Sequence, residues 1–70
     1  MKMFNVVRHT DTVVVYIMRN KSDDTYSFVN ITKGHICSCR FKTEEDAIKD
    51  MVRLKKEGVI LDFIELSKED

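Results

Sequence analysis

The stretch Arg40-Phe41-Lys42-Thr43-Glu44-Glu45-Asp46-Ala47-Ile48 decides how this chain folds. It reads as the end of a strand, a helix cap and the first turns of a helix. Thr43 is the N-cap residue, and Asp46 three positions on completes a T-x-x-D capping pattern. Glu44, Glu45 and Asp46 place negative charge at the positive end of the helix dipole. The chain before this join is strand-like, and the chain after it is helical until one last apolar run.

Working downstream, the helix is expected over residues 43–57. At 100° per residue, Ala47, Ile48, Met51, Leu54 and the stem of Lys55 share one stripe, with Val52 at its margin. Asp46, Lys49, Asp50, Arg53, Lys56 and Glu57 face water, and Asp50 with Arg53 forms an i,i+3 ion pair. Lys55 and Lys56 suit the negative end of the dipole, and Gly58 suits the C′ position. Residues 59–66, apolar except for Asp62 and Glu65, form a final strand that returns to the sheet. Ser67-Lys68-Glu69-Asp70 is a polar end that frays.

Working upstream, residues 3–7 form a first strand, broken by Arg8-His9-Thr10-Asp11. Residues 12–18, with Val13, Val14, Val15, Tyr16 and Ile17 in succession, carry the strongest strand signal and imply burial on both faces. Residues 19–25 form a polar hairpin loop, and its Asp23-Asp24 pair is read as solvated. Residues 26–32 and 35–41 pair through a two-residue Lys33-Gly34 turn. That turn predicts Ile31 opposite Ile36, Asn30 opposite Cys37, Val29 opposite Ser38, Phe28 opposite Cys39 and Tyr26 opposite Phe41. Tyr26, Phe28, Cys37, Cys39 and Phe41 then share the helix-covered face. Ser27, Val29, Ile31, Ile36, Ser38 and Arg40 share the other. The expected fold class is α+β: a small antiparallel sheet in β-β-β-β-α-β order, one helix packed on one face, in one domain spanning residues 1–70.

Composition bounds the function. A chain of 70 residues buries little apolar surface and leans on outside support. The absence of Pro and the presence of only 2 Gly leave no room for a flexible linker, and 34% charged with 43% hydrophobic residues suits a globular domain. Lys+Arg 12 balance Asp+Glu 12, but the first 42 residues are basic and the rest acidic. No apolar run approaches the roughly 20 residues of a membrane span. No signal-peptide core opens the sequence, so a cytoplasmic location with free thiols is expected.

His35-x-Cys37-x-Cys39 is the one constellation able to carry chemistry, and with His9 it holds a zinc-type ligand set. On a flat strand, however, i and i+2 lie about 7 Å apart, too far for a small tetrahedral ion or an unstrained disulfide. The expectation is two thiols buried under the helix, with no metal and no cofactor. No Gly-rich phosphate loop and no nucleophile with an orienting base is present, so the chain is not read as an enzyme.

The second sheet face is the candidate site. One helix covers one face only, which leaves Val29, Ile31, Ile36, Ser38 and Arg40 for a homodimer or a protein partner. The alternative is nucleic-acid contact through Arg8, Arg19, Lys21, Lys33 and Lys42.

The run Tyr26-Ser27-Phe28-Val29 followed by Phe41-Lys42-Thr43-Glu44-Glu45-Asp46-Ala47-Ile48 resembles the strands-then-helix phrase of arm-type DNA-binding domains of tyrosine integrases. It equally resembles small phage and low-GC bacterial proteins with the same plan. The likeness covers about half the chain. The first resemblance implies a sheet that reads DNA. The second suits a small phage or mobile-element protein that binds and modulates a host or defence protein; an anti-CRISPR-like inhibitor is one version, expected from the size and style of the chain.

Overall fold

The computed structural model describes residues 2–66; the polar end at residues 67–70 lies outside the described residues. The first hairpin follows from its loop. Arg8 N–H donates to the Asp11 carbonyl at 2.8 Å, so only His9 and Thr10 bridge the strands β1 (Met3–Val7) and β2 (Thr12–Asn20). Their register sets Phe4 opposite Val15 and Val6 opposite Val13. β2 runs two residues beyond the expected end because Arg19 and Asn20 still pair with Tyr26 and Thr25 of β3 (Thr25–Asn30). The Asn20 side-chain amide reinforces this by donating to Thr25 Oγ1 at 3.1 Å and Ser27 Oγ at 2.9 Å. The loop shrinks to residues 21–24, where Asp24 takes φ 59.

The next turn departs from expectation. It has four residues, 31–34, and β4 is only His35–Ile36, with Val29 opposite Ile36 and Asn30 opposite His35. The expected pairs Ile31–Ile36, Asn30–Cys37, Val29–Ser38 and Phe28–Cys39 are not formed. β2 competes for the turn: Ile31 N–H bonds the Val14 carbonyl at 2.9 Å, and Thr32 Oγ1 accepts the Val14 N–H at 2.8 Å. Asn30 Oδ1 accepts from Lys33 N–H at 3.0 Å, and Gly34 takes φ 67 to close the loop. The Tyr26–Phe41 pair does form, as expected. Between the two registers, the two steps from Phe28 to Tyr26 are faced by the four from Cys37 to Phe41. A slip of two residues preserves side-chain parity, so Val29, Ile31 and Ile36 keep their expected face despite the error of register.

The helix α1 (Glu44–Lys56) starts where the capping pattern places it, with Asp46 N–H donating to Thr43 Oγ1 at 3.0 Å. Its end is a Schellman arrangement. Gly58 N–H reaches the Lys55 carbonyl at 3.1 Å, Val59 N–H reaches that of Leu54 at 2.9 Å, and Gly58 sits at φ 80. Arg53 bonds both Asp50, at 2.7 Å, and Glu57, at 3.0 Å. The final strand β5 (Asp62–Glu65) is shorter than expected because residues 59–61 are spent returning from the helix. It pairs with β1, giving a five-stranded antiparallel sheet in the order β4-β3-β2-β1-β5.

The core lies between α1 and one sheet face. Phe4, Val6, Val13, Ile17 and Ile60 meet Ala47 and Met51 there, and all seven are buried. Ile48 and Leu54 pack at its margin, as do Tyr26, Phe28 and Phe41. Phe28 and Phe41 stack at a tilt with centroids 5.3 Å apart, while Phe4 meets Phe63 edge-on at 5.9 Å. The expected helix stripe is the one observed, and of the expected helix-covered face Tyr26, Phe28 and Phe41 pack on the core.

Candidate functional site

Strand parity puts Asn5 of β1, Val14 and Tyr16 of β2, Val29 of β3, Ile36 of β4 and Ile64 of β5 on the face away from α1. Ile31 and Leu66 continue the ladders one residue past β3 and β5, bonding the Val14 and Met3 carbonyls. Exposure rises from the middle of this face to its rims. Val14, Tyr16 and Val29 are half-buried by their neighbours, whereas Ile36 is 60% exposed, Ile64 55% and Ile31 47%. Four large aliphatic side chains, Leu66 included, therefore stand in water on one side of one sheet.

The other expected members of this face lie apart. Ser38 and Arg40 sit in the irregular link that follows β4. Both are exposed, and Arg40 Nη1 pairs with Asp23 at 2.9 Å. Ser27 is buried, at 2% exposure. Its hydroxyl donates to the Cys39 carbonyl at 2.5 Å and accepts from Asn20, so it closes the link against the sheet. Ile64 and Leu66 belong to the face but escape sequence reasoning, which left the register of the last strand open. The period-two spacing of Ile64 and Leu66 was the signal available.

The basic residues are spread over both ends of the sheet. Arg8 holds Asp11 through two hydrogen bonds, of 2.6 and 2.7 Å, and Lys33 reaches the same carboxylate at 3.5 Å. Those Arg8 hydrogen bonds, helped by its charge and that of Lys33, keep the Asp11 carboxyl below its ordinary value. At the far end Arg19 pairs with Asp24 and Arg40 with Asp23. The Thr25 hydroxyl is the main cause that holds the Asp23 carboxyl low. Lys21 and Lys42, exposed near that end, have no ion-pair partner among the described residues. Arg8, Arg19 and Lys33 thus face fixed carboxylates, and the five residues do not form one basic patch.

A groove of about 170 Å³ opens between α1 and the β3–β4 side of the sheet. Val13, Val15, Phe28 and Met51 line it, with Arg8, Asn30, His35 and Cys37 as its polar members. Arg8 is engaged by Asp11, and Asn30 Oδ1 by Lys33 N–H. No hydrogen bond joins His35 to Cys37 among the described residues. His9 is turned elsewhere: its Nε2 donates to the Gly58 carbonyl at 2.7 Å. Among the described residues no three His, Cys, Asp or Glu side chains converge as a metal site.

Cys37 and Cys39 are free thiols, half-buried where full burial was expected. The cause is the irregular link, which lifts Cys39 out of strand geometry. Among the described residues no helix is long and apolar enough to cross a membrane. No protein-family model, no curated protein and no solved structure matches this chain.

Proposed function

We propose that this chain is a non-enzymatic protein-interaction module that works through the sheet face away from α1. The observation that carries the reading is the row of exposed aliphatics Ile31, Ile36, Ile64 and Leu66 on that face. Leaving them wet forgoes about 1.5–3 kcal/mol for each side chain that a partner could bury fully. Self-association across a two-fold axis is the simplest use, since a C₂ interface needs one self-complementary patch and no second gene product. A foreign protein docked on the same face is the other use. In that form the chain is a small phage or mobile-element type of protein, acting in the cytoplasm on a host or defence protein, as an anti-CRISPR-like inhibitor does.

The runner-up, nucleic-acid binding, is disfavoured by the carboxylates already held by Arg8, Arg19 and Lys33. Two measurements separate the readings. Sedimentation of the purified chain at micromolar concentration and above is expected to show dimers. A mobility-shift assay with duplex DNA is expected to show no complex at either low or moderate salt. A monomer that shifts DNA at low salt, and loses it steeply as salt rises, would establish the runner-up instead.

A further inference from the structure

We infer that Cys37 and Cys39 are a vicinal dithiol that closes reversibly to an intramolecular disulfide by exchange with a small-molecule disulfide. The inference is independent of the proposed function. It starts from the place, between β3 and the segment after β4, where the sheet breaks its register. Cys37 N–H bonds the Phe28 carbonyl at 2.9 Å, and Phe41 N–H bonds that of Tyr26 at 2.8 Å. Phe28 to Tyr26 spans two strand steps, about 7 Å, whereas four extended steps from Cys37 to Phe41 would reach about 13 Å. The segment is therefore folded to roughly half its extended reach, and both cysteines lie inside it. The objection to a disulfide at strand spacing does not apply to a chain so compressed.

The side chains agree. Cys39 N–H donates to Cys37 Sγ at 3.3 Å, so the first sulfur already lies over the backbone of the second residue. That amide nitrogen is three covalent bonds from Cys39 Sγ, and rotation about χ1 of Cys39 sweeps one thiol towards the other. Burial is the main cause that pushes the Cys39 thiol up. Cys37 lines the wall of the groove and Cys39 does not, so Cys37 is the thiol that meets a small-molecule disulfide first.

With oxidised glutathione as the co-reactant, the Cys37 thiolate attacks one glutathione sulfur. A mixed disulfide forms and one glutathione thiolate leaves. The Cys39 thiol gives its proton to that thiolate and attacks Cys37 Sγ. The Cys37–Cys39 bond forms and the second glutathione leaves as thiolate. Two protein thiols are oxidised, and one disulfide is reduced to two thiols. Closure acts on the link whose Cys39 carbonyl is held by Ser27 and whose Arg40 is held by Asp23, so it reaches the hairpin end of the sheet.

The test uses the full chain across a series of oxidised-to-reduced glutathione ratios, quenched in acid, alkylated and weighed intact. The expected product is a monomeric species lighter by two hydrogen atoms, resistant to alkylation and restored by dithiothreitol. Its fraction is independent of protein concentration. Cys37→Ser and Cys39→Ser each stop at one mixed disulfide. The wild-type result alone decides, whatever the variants do to folding. A chain that stays a dithiol throughout, stops at glutathione adducts, or forms only intermolecular disulfides overturns the inference.

Discussion

Ile36→Lys weighs the open sheet face against a control of similar exposure. Ile36 is 60% exposed, so about three-fifths of the roughly 1.5–3 kcal/mol from fully burying an isoleucine is still available to an interface, or about 1–2 kcal/mol. Across a two-fold axis each copy contributes its own Ile36, so the loss doubles to about 2–4 kcal/mol. That is roughly a thirty- to thousand-fold rise in the dissociation constant. Five strands about 4.8 Å apart and some five residues long give a footprint of about 400 Å², half of a standard interface, so the assay reaches up to submillimolar concentration. The control is Val52→Lys. Val52 is 51% exposed but lies on α1, so a comparable loss of apolar surface there should leave association unchanged. Sedimentation equilibrium from micromolar to submillimolar concentration reads both variants, and thermal melts confirm that each stays folded. A wild-type chain that remains monomeric throughout, or two variants that shift association equally, refutes the reasoning.

Three further predictions concern the fold. Thr43→Ala removes the acceptor of the Asp46 N–H and should cost about 1 kcal/mol in urea unfolding, with helix content otherwise kept. Ser27→Ala leaves the Cys39 carbonyl without its hydroxyl donor and should cost about 1–3 kcal/mol; a change below a few tenths would mean that the link does not depend on Ser27. The Asp11 carboxyl is held low in the fold, chiefly by hydrogen bonds from Arg8, so its stabilising contribution is complete above the unfolded carboxylate value of about 3.9 and fades as pH falls through the lower folded value. Carboxyl resonances followed through an acid titration should place the Asp11 midpoint below that of the same residue in urea. Equal midpoints would count against the Arg8–Asp11–Lys33 cluster.

Much of this architecture was legible because it rests on local chemistry. Thr43 with Asp46, the stripe through Ala47 and Met51, and Gly58 past the last turn are each set by neighbours within four residues. The register after β3 was not legible, because it is settled between strands. Lys33-Gly34 has the composition of a two-residue hairpin, yet Thr32 Oγ1 and Ile31 N–H are taken up by Val14 of β2, which draws both residues into a wider loop. The candidate face was half legible for the same reason. Parity along a strand survives a two-residue slip, so Val29, Ile31 and Ile36 were placed on the right side. Ser38 and Arg40 were not, since the slip is absorbed in the link that carries them. Ser27 looked like a polar margin, and only the return of Cys39 over it makes it buried.

The edges of the sheet bear on how a second molecule would engage it. Strand association could proceed edge to edge, continuing the sheet, or face to face. β4 offers two paired residues, His35 and Ile36, beyond which the link turns away. β5 offers four residues, and Asp62 and Glu65 at its ends are tied to Lys55 at 3.0 Å and Lys2 at 3.5 Å. A short strand on one side and charged ends on the other are the devices that discourage edge pairing. The aliphatic side chains, by contrast, rise in exposure towards those same edges on the open face. A partner that buries Ile36 and Ile64 together must span the sheet from β4 to β5 and lie flat upon it. Packing across the face therefore follows from the same residues that block the edges, and it is the geometry that Ile36→Lys tests.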